Sequence, residues 1–206
     1  MTKKTSTIMA VLIVLALCVL IIFGIFYLEN YRSGDSQSIY DLNEKVYLIK
    51  DLVLDQDIVD NVKLSNQKRT GIALAEISKL DQDWVESREQ GEESQTMKDS
   101  LSGAVAEKLK EFQKDHPEFV EIFVTDKYGL NVGQTNVTSD YYQADEDWWI
   151  RAYNKGRGAT FVGEVEYDES AGTEVVGIFF PITYGSVNNA IGVIKALVGV
   201  ESLWEK

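Results

Sequence analysis

The stretch "EFVEIFVTDKYGLNVGQT", Glu118 to Thr135, is where the chain changes its period. Upstream, apolar residues recur near every 3.6 positions. From Phe119 the period falls to 2, and β-branched and aromatic residues predominate. "EFVEIFVTD" reads as a strand, "DKYG" as a tight turn and "GLNVGQT" as its partner strand. Downstream come "ATFVGEVEYD", a turn at "DESAG", "TEVVGIFFPITY", a turn at "GSVNNA", and "IGVIKALVGV". Five strands follow, joined by hairpins except after the second, where "DYYQADEDWWIRAYNKG" supplies a connection of about twenty residues with a helix in it. The expected class is α+β: a five-stranded antiparallel sheet with helices on one face, preceded by long helices.

Before Phe119 the reading is helical. A helix over Met97 to Lys114 must stop at "DHP", because Pro117 cannot continue it. "QGEESQT" separates it from a helix over Gln67 to Arg88, with Leu74, Ile77 and Trp84 on one side. Ile39, Leu42, Val46, Ile49 and Val53 form a heptad seam of two repeats, widened by Leu48 and Leu52. That helix packs on its own domain or, as a homodimer, on a second copy.

Ile8 to Leu28 is a run of 21 residues without a charge. As a helix it is about 31 Å long, the hydrocarbon thickness of a bilayer. Lys3 and Lys4 precede it, which predicts a single-pass cell-membrane protein with a cytoplasmic N-terminus. A cleaved signal is the rival. Its apolar core is shorter, and no small-x-small site follows Leu28. The expected organisation is residues 1–7 cytoplasmic, 8–28 transmembrane, 29–36 a linker and 37–206 an extracytoplasmic domain. Cys18, the only cysteine, lies in the apolar run, so the outer domain has no disulfide and depends on its core. A net charge of −13 excludes a nucleic-acid partner, which needs a basic face.

Candidate site residues cluster in Thr135 to Tyr153. Trp148 and Trp149 are adjacent, hence about 100° apart on a helix, so one packs on the sheet and the other faces a cavity or the surface. Tyr141 and Tyr142 precede the helix, where a loop tip can fold over a cavity. Asp145, Glu146 and Asp147 fall in its first turn. There the helix dipole alone accounts for Asp145 or Asp147, leaving Glu146 as the expected ligand contact. Arg151 lies a turn beyond and can pair with Asp147 or Glu146. The acidic spacing is not that of a calcium loop, so no metal is expected. Asn136-Val137-Thr138 is a glycosylation acceptor. One histidine, His116, and no exported cysteine leave a nucleophile without its base, so neither catalysis nor a cofactor is expected.

The order of these segments resembles the Cache family of extracytoplasmic, PAS-like sensor domains. A transmembrane helix leads to a long helix, "FVEIFVTDKYGLNV", "DYYQADEDWWIRA", "FVGEVEYDESAGTEVVGIFFPI" and "AIGVIKALVGV", over Gln37 to Leu203. The resemblance implies a single PAS-like module that binds a small molecule between sheet and helix, through Tyr141, Tyr142, Asp145, Glu146, Trp148, Trp149 and Arg151. Amino-acid-sensing members carry Tyr, four residues, Arg, one residue, Trp-Tyr, one residue, Asp. The matching register here is Tyr141, Glu146, Trp148-Trp149, Arg151, with both charges reversed. A ligand carboxylate facing Glu146 meets repulsion, so amino-acid specificity does not carry over. A ligand offering cationic or hydrogen-bond-donating groups, with a flat part for the tryptophans, fits better. Receptors of this family return through the membrane to an output domain. None follows Lys206 in this sequence, so the chain is either a fragment of such a receptor or works alone, with relay expected through the N-terminal helix or a separate signalling partner. The alternative is a non-signalling, membrane-tethered structural or self-assembling protein with Trp148 and Trp149 as interface anchors.

Overall fold

The computed structural model describes Leu20, Ile21, Phe23, Gly24 and residues 41–203. The chain divides into two units, Met1–Asn43 and Glu44–Lys206. In the first, Leu20, Ile21, Phe23 and Gly24 are helical, as are residues 41–43. The rest of the expected membrane span 8–28, the linker 29–36 and Ile39 lie outside the described residues. Among the described residues, no helix is long and apolar enough to cross a membrane.

In the second unit α1 covers 44–52. Ile49, Leu52 and Val53 are buried, and Lys45 ties the helix to the start of the sheet through Glu118 at 2.6 Å. Asp55 then caps a new helix, α2 (Gln56–Lys68), accepting the amides of Asp57 at 2.9 Å and Ile58 at 3.4 Å. The sequence pattern marks no separate helix here, and the helix expected over Gln67 to Arg88 does not begin at Gln67. Instead α2 stops at Lys68, a turn spans 69–73, and α3 runs over Leu74–Gln90. Leu74, the first residue of α3, is 68% exposed rather than packed, and the buried face is Ile77 and Trp84. α3 ends on Gly91, which has φ 68°.

The expected single helix over Met97–Lys114 is two helices, α4 (Gln95–Ser102) and α5 (Ala104–Asp115). Gly103 divides them in an extended conformation, φ −73° and ψ 166°. A Cβ there would lie 2.9 Å from the Asp99 carbonyl oxygen, so the break needs glycine. His116 closes α5, its amide donating to Phe112 at 2.9 Å, and its ring lies 4.6 Å from that of Phe112. This is the structural role its position before Pro117 predicts.

The strands are β1 (Phe119–Asp126), β2 (Asn131–Gln134), β3 (Phe161–Asp168), β4 (Thr173–Tyr184) and β5 (Ser186–Gly199). They form one antiparallel sheet in the order β2-β1-β5-β4-β3. The turn at Asp126–Gly129 is the predicted one, with Gly129 at φ 79° donating to Asp126 at 3.1 Å. The β4–β5 turn is tighter than "GSVNNA" suggests, since Tyr184 pairs with Ser186 across Gly185. Asn189 donates to the Tyr184 carbonyl at 2.7 Å, and that bond supports the irregular start of β5.

Register decides which layer covers which face. Val124, Ile194 and Gly192 share one face; Phe123, Thr125, Val193, Lys195 and Phe179 share the other. On the first lie α2, with Val62 against Gly192, and α5, with Val105 against Gly133, the partner of Val124. On the second lies α6 (Asp147–Tyr153), clustered with Phe179 and Val193. Helices therefore cover both faces, not one. The helix in the β2–β3 connection is carried around the β2 side and laid across the opposite face.

Candidate ligand-binding site

The connection from β2 to α6 is a strap bound along its length. The Asp81 carboxylate on α3 accepts the amides of Tyr141 and Tyr142, both at 2.9 Å. The indole of Trp84 donates to the Thr138 carbonyl at 3.0 Å and stacks on Tyr141 with centroids 5.2 Å apart. Asn131 fixes Thr138 at 2.8 Å, and Gln143 donates its amide to Gly129 at 2.8 Å. Consequently Tyr141 is no loop tip. It is 2% exposed, and its hydroxyl is bonded by the guanidinium of Arg69. Tyr142 is half-buried on the same cluster, with Trp84 and Met97.

At the end of the strap, Glu146 occupies the N-cap position of α6 but makes no side-chain cap bond. The helix does not use its carboxylate. Trp149 is 6% exposed and donates its indole N–H to Thr125 Oγ1 at 2.9 Å. Trp148 also packs on this face of the sheet and is half-buried, so the two tryptophans do not divide between sheet and surface as expected. It stacks on Phe179 at 5.4 Å and meets Phe123 edge-on at 5.7 Å.

A cleft of about 310 Å³ opens between α6 and the outer strands. From α6 and its N-cap come Glu146, Asp147, Trp148 and Arg151. From β3 come Phe161, Glu164 and Glu166, and from β4 comes Phe179. Arg151 does not pair with Asp147 or Glu146 by any ion pair among the described residues. Its guanidinium lies 3.7 Å from the centroid of Phe161, which stacks in turn on Phe179. Lys195 is the other nearby cation, 5.3 Å from the Trp148 ring. Four carboxylates thus face one guanidinium around an aromatic floor. The structure brings together Glu146, Trp148 and Arg151 of the sequence candidates. It leaves Tyr141 and Trp149 in the core, Tyr142 half-buried on the Trp84 cluster, and Asp145 exposed outside the cleft.

Other residues of the cleft escaped the sequence reading. Glu164 and Glu166 are two apart on an edge strand, a spacing that puts both on one face and was legible in "FVGEVEYD". Phe179 and Phe161 meet only through the β3–β4 register, which no local pattern encodes. Tyr141 belongs to a second cavity of about 350 Å³ with Arg69, Asn131 and Asp99. Asn136, the glycosylation acceptor, is exposed at the start of the strap. Among the described residues no cluster of three or more acidic, histidine or cysteine side chains is placed to hold a metal ion.

The acidic end of α6 has an electrostatic signature. Asp140 is pushed up to about 6 by burial first, then by the charges of Asp81, Glu146 and Asp145. An acid raised above its unfolded value stabilises the fold at low pH and loses that contribution as pH rises through about 6. Asp140→Asn should therefore gain stability relative to wild type at pH 8, an advantage that shrinks as pH falls below about 6 and is gone only below 3.8. Paired thermal melts across this range measure it, and a pH-independent difference contradicts it.

No family model and no curated protein matches the chain. The solved structures it is similar to include ligand-binding sensory domains of chemoreceptors. One is the ligand-binding domain of the amino-acid chemoreceptor PctC of Pseudomonas aeruginosa PAO1 in complex with GABA. It is 16% identical, over 59% of this chain and 58% of that one, with a TM-score of 0.36. The sensory domain of Campylobacter jejuni chemoreceptor Tlp3 with isoleucine bound is 19% identical, over 82% and 64%, at a TM-score of 0.40. The ligand-binding domain of PctB, from P. aeruginosa PAO1, with L-Arg is 14% identical, over 72% and 55%, at 0.39. The match thus spans 55 to 64% of these chains' lengths. What they bind is a property of those proteins.

Proposed function

We propose that this protein is a small-molecule sensor, tethered by residues 8–28 with its domain outside the membrane, and that its ligand is an amine-bearing molecule with a flat or apolar body. The observation that carries this reading is the α6–β3 cleft, where Glu146, Asp147, Glu164 and Glu166 surround the half-buried ring of Trp148. Carboxylates beside a half-buried aromatic ring suit an ammonium group, through charge-assisted hydrogen bonds and cation–π contact. The same carboxylates repel a ligand carboxylate. The membrane tether rests on the uncharged run after Lys3 and Lys4.

A route for the signal starts at the cleft. Trp149, next to Trp148, bonds Thr125 on β1, and the following residue, Asp126, holds Ser65 of α2 and Arg69 just past its end. A ligand that shifts α6 thereby works on α2 and on α1 before it, provided it binds two states unequally. Relay to a separate signalling partner uses the same elements. The rival, an assembly protein anchored by its tryptophans, fits less well, because Trp149, one of the two anchors it needs, is buried and bonded to its own sheet. If α1 forms a homodimer, exposed Tyr47 is the side chain it offers.

The test titrates the full chain, in mild detergent, with phenethylamine, agmatine and cadaverine against benzoate and succinate. An amine should raise the melting temperature saturably. Glu146→Ala and Trp148→Ala should each weaken it about tenfold, one charge-assisted or stacking contact. Glu146→Arg should move preference toward the carboxylates. Stabilisation by no amine, or by amines equally in all variants, sinks the reading.

A further inference from the structure

A third cleft, of about 530 Å³, lies beyond the C-terminal end of α6. There α2 from one face of the sheet and the tail of α6 from the other meet over the β1–β2 turn and the start of β5. Its chemistry is opposite to that of the acidic cleft. Lys63 of α2, Lys127 of the turn and Lys155 after α6 all line it, and no aspartate or glutamate does. In a chain of net charge −13, three converging lysines run against composition. Lys63 has Asp60 as a counter-charge at 3.0 Å, whereas Lys127 and Lys155 have none among the lining residues, and an incoming anion relieves the repulsion between them.

The walls are built, not incidental. Asn66, buried on α2, donates to the Ile191 carbonyl at 2.7 Å and accepts the amide of Lys127 at 3.0 Å, so one side chain fixes α2, the turn and β5 together. Lys63 reaches the rim, 3.9 Å from the Tyr184 ring centroid and 3.0 Å from Asp60. Lys127 and Lys155 have no ion pair among the described residues. Lys155 reaches its position through an unusual backbone, since Asn154 and Lys155 both hold positive φ, 47° and 55°. Two successive non-glycine residues in that region are costly, and such outliers gather at functional sites.

We propose that this cleft is a second ligand site, for a small multivalent anion carrying carboxylate or phosphate groups. Lysine ammonium groups on flexible stems act as point charges and suit either kind of oxyanion. Tyr153 joins the two sites: it lines this cleft and stacks at 4.6 Å on Trp149, which anchors α6. Anion binding here acts on the same helix that carries the acidic cleft.

The experiment titrates the full chain with citrate, pyrophosphate and orthophosphate, each against sodium chloride at matched ionic strength. Citrate or pyrophosphate should raise the melting temperature saturably, and the stronger of the two identifies the oxyanion preferred. Lys127→Gln with Lys155→Gln should weaken that response at least tenfold, and Lys79→Gln, exposed on α3, should leave it intact. The circular dichroism of the double variant without anion reports that it is folded. A response matched by sodium chloride, or undiminished in the folded double variant, overturns the site. None of these outcomes depends on whether amines bind at Trp148.

Discussion

Asp126→Ala is expected to destabilise the domain by about 3–5 kcal/mol, the cost of breaking a buried ion pair from one side. Asp126 is 0% exposed at the end of β1. One carboxylate oxygen accepts the amides of Tyr128 at 2.8 Å and Leu130 at 3.2 Å, which shapes the β1–β2 turn. The other accepts Ser65 at 3.0 Å and Arg69 at 2.6 Å, which holds α2 on the sheet. Removing it strands a guanidinium whose side chain is only 21% exposed and loosens the turn as well. In a domain of this size the melting temperature should fall on the order of 10 °C. Urea unfolding followed by circular dichroism measures the difference. Asp126→Asn keeps acceptor oxygen for the turn amides and should fall between wild type and alanine. A loss under about 1 kcal/mol for alanine, the scale of an ordinary hydrogen bond, would mean that α2 is held by something else.

The same pair explains what sequence reading missed. α2 carries few apolar side chains on its buried face: Ile58, Val59 and Val62. The rest of its contact with the sheet is polar, through Ser65, Asn66 and Arg69, and each is satisfied by the turn, Asp126 or β5. A buried face made of matched polar groups has no hydrophobic period to detect. The break at Gly103 was hidden for a related reason, because glycine inside a helical pattern is tolerated as often as not. It becomes a stop only when a neighbour, here the Asp99 carbonyl, comes too close for a Cβ.

The strands were more legible. Their turn residues act locally, and "DKYG" needs nothing distant to form its turn. The candidate site divides along the same line. Glu146, Trp148 and Arg151 were readable because one short helix presents them together. Phe179 and Phe161 were not, since they meet Trp148 and Arg151 only after β3 and β4 have paired. The face on which α6 lies was equally invisible. It depends on how the strap is held by Asp81 and Trp84, more than fifty residues upstream.

The adjacent tryptophans should separate fold from binding. Trp149→Ala is expected to cost about 3–5 kcal/mol, as for other large aromatic truncations in a core. It empties the space between Ala152, Phe179 and Val193 and leaves the Thr125 hydroxyl without its donor. Trp149→Phe retains most of the volume and should lose about 1 kcal/mol, the hydrogen bond alone. Trp148→Ala removes one stacked and one edge-on ring contact at a half-buried position, so about 1–2 kcal/mol is expected. Chemical denaturation of the three variants gives these values, and amine titration of the folded ones gives the second readout. In Trp148→Ala the fold should survive while the amine response falls. In Trp149→Phe both should persist, because α6 stays seated on Thr125's strand. If instead Trp148→Ala melts the domain as severely as Trp149→Ala, Trp148 is a core residue and the cleft lacks its aromatic wall. The charge reversal at Glu146 would then mark an acidic surface and not a ligand pocket.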